Sequence, residues 1–195
     1  MEPPIPINTS PGSGRNDIYQ TIYQPKSLTA GVKIPVLVWS NGGCIGVGTF
    51  MMPSLVQVAS RGIVGIAKGA PGNITGSFES AMNSPRTTVK ALTDAIDWAV
   101  ANSGKDRYAH MDASRVDVTG QSCGSLEAMT VTGDARVSAV GIPISGSGLI
   151  RDKAIFCGLV QAILLPRRLV RYCLPIRMFT ESFHGALGLT RNEWR

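Results

Sequence analysis

Short apolar runs and amphipathic segments alternate along the first 150 residues of the chain. Apolar runs bounded by Gly, Pro or Asn are typical of strands, and apolar positions three or four residues apart are typical of helices. In chain order the pattern predicts an edge strand at 18–23, a buried strand at 34–39, a helix at 50–60 and a strand at 62–67. A helix at 84–103, a strand at 115–119, a helix at 125–131 and a strand at 136–144 follow. This alternation predicts an α/β fold with a mostly parallel sheet and helices on both faces.

The segment 84–103 carries the strongest helix pattern. Ser84 suits the N-cap, Pro85 the first turn and Gly104 the stop. Its apolar face is predicted to pack against the sheet and consists of Val89, Leu92, Ile96 and Val100.

Composition divides the chain into three parts. Residues 1–16 are rich in Pro, Ser, Gly and Asn and predict a loose N-terminal arm, residues 17–150 form the predicted core, and residues 151–195 form an atypical basic tail. The tail holds 8 of the 19 Lys and Arg residues and only 3 of the 13 Asp and Glu residues. The core is therefore close to neutral, which argues against a nucleic-acid-binding domain.

The cysteines and apolar runs limit the class of protein further. No pair of cysteines has the C-x-x-C spacing, so neither a metal site nor a redox motif is indicated. No signal peptide is visible, which makes the cytoplasm the default expectation. The longest apolar run of the tail, near 155–165, is too short to span a bilayer.

Gly120-Gln121-Ser122-Cys123-Gly124 lies between the predicted strand at 115–119 and the predicted helix at 125–131. G-x-S-x-G between a strand and a helix is the nucleophile elbow of serine hydrolases, in which a tight turn projects the Ser hydroxyl above the sheet. An ordinary strand-to-helix turn is the alternative. The pattern favours Ser122 as a nucleophile.

A serine hydrolase also needs N–H donors for the oxyanion that forms on the attacked carbonyl. One donor is expected to be the N–H of Cys123, which follows the Ser. The other is expected from the glycine-rich turn after the strand at 34–39, at Gly43 or Cys44. This turn lacks both the G-x-G-x-x-G spacing and the P-loop Lys, so a nucleotide site is not favoured.

Three segments together resemble a fungal group of α/β-hydrolases similar to chlorophyllases, dienelactone hydrolases and polyester-cleaving esterases. They are 34–44, 95–99 and 120–128, and the resemblance extends from about residue 22 to about residue 148. It implies a three-layer hydrolase fold, hydrolysis of small-molecule or lipid-like esters through an acyl-enzyme, and no cofactor. Such relatives are often secreted, and Ser125 stands where a third Gly is common.

Two cysteines lie in the two turns that are expected to hold the oxyanion donors. If both turns serve one oxyanion, Cys44 and Cys123 lie close together, within reach of the Cα separation that a disulfide requires. A bridge would hold the two halves of the site together. The alternative is two buried, unpaired thiols.

The catalytic base and acid are harder to identify. In this fold the order is Ser, then Asp or Glu, then His, so His184 is the candidate base, with Asp152 or Glu181 as the acid. His110 precedes the strand at 115–119 and is expected near the opposite end of the sheet. Glu127 is expected on the helix after Ser122, and Asp134 in the turn that follows.

The tail departs from the resemblance because it lacks strand alternation where two more strand–helix units are expected. We interpret it as an abnormal C-terminus without the last strands. Three functions compete: an ester hydrolase, a catalytically inactive binding protein with a hydrolase fold, and a protein that contacts membrane surfaces through the basic tail.

Overall fold

A computed structural model describes residues 3–9, 19–72 and 83–141 of the 195-residue chain. The strands and helices are, in chain order, β1 (Ile5–Asn8), β2 (Tyr19–Tyr23), β3 (Ile34–Ser40), α1 (Met52–Ser60), β4 (Val64–Lys68), α2 (Val89–Asn102), β5 (Met111–Gly120), α3 (Cys123–Thr130) and β6 (Val137–Gly141). Two single-turn 3₁₀ helices, Gly42–Cys44 and Asp106–Tyr108, precede α1 and β5.

The strands form one sheet in the order β1-β2-β4-β3-β5-β6. The pairs from β4 to β6 are parallel, whereas β2 is antiparallel to both β1 and β4. Parallel strands require crossover connections, which α1, α2 and α3 supply. The predicted α/β class with a mostly parallel sheet is confirmed.

Helices cover both faces of the sheet, and each face has its own core. Alternate positions of the central strands, such as Val38, Ile66 and Val118, pack against α2 and α3. The other face places Tyr23, Trp39 and Ala67 against α1. Side chains of a strand alternate between faces, so the near-continuous apolar runs of β3 and β4 fill both cores.

The first strands differ from the prediction. Segment 18–23 was expected to be an edge strand, but β2 lies between β1 and β4. The prediction of a loose arm at 1–16 is wrong for Ile5–Asn8, which forms β1 and buries Ile7. Proline within a strand pattern weakens the strand signal, yet Pro6 is tolerated because β1 has only one partner within the described residues.

The predicted helix at 84–103 begins later than expected, at Val89. Residues 85–87 instead run beside the glycine-rich turn, where Gly46 N–H donates to Pro85 O at 2.6 Å and Thr87 N–H donates to Cys44 O at 3.0 Å. Tertiary hydrogen bonds therefore override the local Ser-Pro start signal. The buried face also differs, because Val100 is 47% exposed and the face is completed by alanines 95 and 99.

Asp117 lies in the middle of β5, on the face opposite α2 and α3, between Leu37 of β3 and Ala139 of β6. Burial raises the pKa of this carboxyl to about 6, against the opposing charge of Arg115. A carboxyl whose pKa is higher in the folded chain than in the unfolded one binds more protons when folded. The free energy of unfolding therefore falls as the pH rises from about 4 to about 6.

We expect Asp117→Asn to abolish this fall in the free energy of unfolding and to stabilise the protein above pH 6 by about 1–2 kcal/mol. This is less than the full pKa shift would give, because the side chain is partly exposed. Urea denaturation between pH 4 and pH 8 measures it. Asp106→Asn, at an exposed position, is the control and should leave the profile unchanged. Equal profiles for Asp117→Asn and the unmodified protein would contradict the prediction.

Candidate active site

Ser122 occupies a sharp turn between β5 and α3. Gln121 N–H donates to Ser40 O at 3.1 Å, and α3 begins at the next residue after Ser122. Ser122 has φ 52° and ψ −117°, a backbone conformation that costs a non-glycine residue about 1–3 kcal/mol. Its side chain is exposed. We call residues 120–124 the serine turn.

The two glycines of the serine turn allow close backbone approach. A Cβ atom at Gly120 would lie 2.7 Å from Ser40 O, and one at Gly124 would lie 2.8 Å from Asn41 O. Both distances are too short for a carbon atom. The glycines therefore let α3 begin directly against the end of β3.

Ser125, the other hydroxyl near the turn, is fully buried and donates to Gly120 O. This bond closes the serine turn from inside. Ser125 is not exposed for reaction with a substrate.

The segment after β3 forms the second turn, Asn41–Cys44, which we call the glycine turn. Trp39 Nε1 donates to Asn41 Oδ1 at 2.8 Å, and Asn41 Nδ2 donates to Ile45 O at 3.0 Å and Val47 O at 2.9 Å. The buried Asn41 amide thus shapes the loop from its centre. Gly43 and Cys44 both have positive φ, 62° and 53°.

The glycine turn and the serine turn meet. A Cβ at Gly42 would overlap the end of the Gln121 side chain, so Gly42 lies directly against the serine turn. Cys44 and Cys123 form a disulfide with a Cα–Cα distance of 5.4 Å. The predicted proximity is confirmed, and the alternative of two unpaired thiols is wrong. The disulfide joins residues 79 positions apart in the sequence.

Arg86 is a contact that the sequence did not indicate. Its Nη1 donates to Gly43 O, from the segment that precedes α2. The same segment pairs with Ile45 through a β-bridge at Arg86. The glycine turn is therefore held on one side by the disulfide and on the other by Arg86.

The candidate acids and bases are distributed as follows. His110 lies at the amino end of β5, where its Nδ1 is 2.8 Å from Val32 O, so its expected place away from Ser122 is confirmed. Asp134 binds Arg136, and hydrogen bonding from that guanidinium lowers its pKa. The predicted base His184 and the predicted acids Asp152 and Glu181 lie outside the described residues, as does the tail at 151–195.

Glu127 lies on α3, as predicted, and is buried with Lys68 and Ser40. Burial lowers the pKa of the Lys68 ammonium, and the Glu127 carboxylate opposes this effect. The sequence offered one signal of this pair: Lys68 ends an otherwise apolar strand.

A cavity of about 170 Å³ lies at the amino ends of β3, β4 and β5, lined in part by Lys26, Arg107 and His110. It is at the end of the sheet opposite Ser122, so it is separate from the two turns.

Within 3–9, 19–72 and 83–141, no three His, Cys, Asp or Glu residues are grouped so as to hold a metal ion. No helix in the described part of the chain is long and apolar enough to cross a membrane.

Comparisons with known proteins identify the fold. No protein-family model and no curated protein matches the sequence. Among solved structures, the esterase Est22 has 14% identity and a TM-score of 0.52, covering 77% of this chain and 47% of Est22. A bacterial heroin esterase has 16% identity and a TM-score of 0.50, covering 74% of this chain and 44% of its own.

An esterase of Pyrobaculum calidifontis has 21% identity and a TM-score of 0.49, covering 72% of this chain and 44% of that one. The chain thus spans less than half the length of each of these three esterases. The sheet order, the helices on both faces and the similarity to Est22 and the heroin esterase show that this chain has the α/β-hydrolase fold.

Proposed function

We propose that the chain is a carboxylic-ester hydrolase that forms an acyl-enzyme on Ser122. The observation that carries this proposal is the exposed Ser122 at φ 52°, on a strand-to-helix turn bridged to the glycine turn. A strained backbone conformation is maintained only where the surrounding structure enforces it, and such residues concentrate at functional sites. This turn is the nucleophile elbow of the proposal.

Two backbone N–H groups support an oxyanion hole beside Ser122. Cys123 is the first residue of α3, and the first N–H groups of a helix have no partner within it. Their dipoles also favour a negative charge at this end. The Cys123 N–H therefore serves as one donor in the proposed reaction.

The glycine turn supplies the second donor, from Gly43 or Cys44. The hydrogen bond that closes this turn is donated by the Ile45 N–H to Gly42 O at 3.3 Å, so it uses neither of these two N–H groups. Both therefore stay candidates for the second donor.

In the proposed reaction Ser122 Oγ attacks the ester carbonyl carbon, while its proton passes to a base. The oxyanion accepts hydrogen bonds from the N–H of Cys123 and from that of Gly43 or Cys44. Its collapse breaks the bond between the carbonyl carbon and the oxygen of the leaving alcohol, which takes the proton from the base. Water then gives a proton to the base and attacks the acyl carbonyl carbon. The bond between that carbon and Ser122 Oγ breaks, Oγ takes the proton back from the base, and the acid is released. We propose His184 as the base, oriented by Asp152 or Glu181.

The proposed substrates are small-molecule or lipid-like esters. Est22 and the heroin esterase, whose similarity shows the fold of this chain, are both esterases by name. This favours esters over amides as the substrate class. The more specific resemblance to a fungal, chlorophyllase-like group stays a prediction.

The test is covalent labelling with a fluorophosphonate, followed by reduction and tryptic digestion. Cleavage after Arg115 and Arg136 yields one peptide that contains both Ser122 and Ser125. We expect fragment spectra to place the adduct on Ser122. Absence of any adduct, or an adduct on another residue, would contradict the proposal, and ester binding without an adduct would favour the inactive binding protein.

A further inference from the structure

Three buried polar residues form a row across the sheet beneath the serine turn. Gln20 of β2 pairs with Lys68 of β4, and Ser40 of β3 pairs with Gly120 of β5. Trp39 pairs with Ala67, so the next residues along, Ser40 and Lys68, are also neighbours. The side chains of Gln20, Lys68 and Ser40 are completely buried.

This row lies on the face that α2 and α3 cover. Two positions away along each strand, Ile22, Ile66 and Val38 belong to the core under these helices, and positions two apart share a face. On this face the hydrophobic core therefore ends in a polar layer at the carboxyl ends of the parallel strands, which is the end of the sheet where Ser122 lies.

Both helices are bound to this layer by hydrogen bonds. Glu127 Oε2 accepts from Ser40 Oγ at 2.6 Å and also contacts Lys68 Nζ. Gln20 Nε2 donates to Ala91 O, in the first turn of α2, at 2.7 Å. Glu127 is five residues from Ser122 and is attached to it through the first turns of α3.

Ser40 connects the layer to both turns of the candidate site. Its backbone oxygen accepts from Gln121 N–H at 3.1 Å, its side chain donates to Glu127, and the next residue is Asn41 of the glycine turn. A displacement of Glu127 from Ser40 would therefore move the start of α3 relative to the glycine turn.

A buried ion pair adds little net stability. Removal of one partner leaves a buried, uncompensated charge and is strongly destabilising, whereas replacement of both partners by apolar residues of similar size is often neutral. The burial of Lys68 and Glu127 is thus not explained by stability. The hydrogen bonds that Glu127 accepts from Lys68 and Ser40 are directional, however, and favour one arrangement of the groups they join.

We propose that Lys68 and Glu127 are positioning residues that hold α3 against β3 and β4, so that Ser122 and the Cys123 N–H face the glycine turn. The proposal rests on the proposed ester hydrolysis for its catalytic consequence. Its structural consequence, the position of α3, is measurable without any activity.

The experiment compares Lys68→Met, Glu127→Met and the double variant with the unmodified protein. Each single variant should lower the melting temperature, and the double variant should recover most of that loss. The double variant should nevertheless react with fluorophosphonate about ten- to a hundredfold more slowly. Its kcat should fall by the same factor, with KM unchanged within about twofold. We expect losses of this size because a displacement of the reacting groups by about 1 Å suffices for them. Lys90→Met, which removes the partly buried Lys90–Asp94 ion pair on α2, is the matched control and should change neither rate.

A double variant that reacts and turns over at the unmodified rates would overturn the proposal, as would one that fails to recover its melting temperature. Ser40→Ala, which removes only the neutral donor to Glu127, gives a milder test and should also slow labelling. If it labels at the unmodified rate, Glu127 does not position the turn.

If the unmodified protein is not labelled, the proposed ester hydrolysis fails and the positioning is tested separately. Hydrogen exchange of the α3 amides and the rate at which dithiothreitol reduces the Cys44–Cys123 bridge report how firmly α3 is held against the sheet. We expect both rates to rise in the double variant. Unchanged rates would overturn the positioning proposal whether or not the protein is an esterase.

Discussion

Replacement of Ser122 by Ala is expected to lower the turnover of p-nitrophenyl acetate at least about a thousandfold and to leave only the slow hydrolysis that the oxyanion donors and substrate binding support. Alanine removes the hydroxyl that would carry the acyl group. No other hydroxyl in the described part of the turn is exposed for the same role, because Ser125 is buried and bound to Gly120 O. Steady-state and burst kinetics measure the effect.

The matched control is Ser114→Ala. Ser114 is an exposed serine on β5, the strand that precedes the serine turn, and it is bound to Asp112 near the amino end of that strand. It should retain full activity. Turnover that survives in Ser122→Ala would contradict the role of Ser122, and a stoichiometric burst without turnover in the unmodified protein would contradict the proposed base.

Replacement of both Cys44 and Cys123 by Ala is expected to lower the free energy of unfolding by about 4–5 kcal/mol. The bridge joins residues 79 positions apart, and a crosslink that closes a loop of this length removes a large conformational entropy from the unfolded chain. Urea denaturation measures the loss. Because the bridge also holds the two turns of the site, labelling of Ser122 should slow as well.

Reduction provides the control for this prediction. Dithiothreitol should destabilise the unmodified protein by a similar amount and leave the double Cys variant unchanged, since the variant has no Cys44–Cys123 bridge to reduce. Equal urea midpoints for the oxidised protein and the variant would show that the bridge does not stabilise the fold.

Much of the sheet was predictable because its signals are local. The apolar run at 34–39 and the Gly-bounded run at 62–67 became β3 and β4, shifted by one residue or a few at their ends. G-x-S-x-G predicted a tight turn because only glycine permits the approach seen at Gly120 and Gly124. The closeness of Cys44 and Cys123 followed once both turns were expected to supply donors to one oxyanion.

Other features depended on partners far away in the sequence. The strand at Ile5–Asn8 is recognisable only through its pairing with β2, and the late start of α2 only through the hydrogen bonds of Pro85 and Thr87 to the glycine turn. Nothing near Lys68 in the sequence indicates that Glu127, 59 residues later, is its partner.

The sequence by itself determined the α/β class, the strand-to-helix turn at Ser122 and the glycine turn after β3, because hydrophobic period and glycine content act over a few residues. Only the tertiary structure decided the strand order, the joining of the two turns by a disulfide, and the burial of Lys68 beside Glu127. Each of these depends on the free energy of contacts between distant segments, which outweighs local preference once the sheet has assembled.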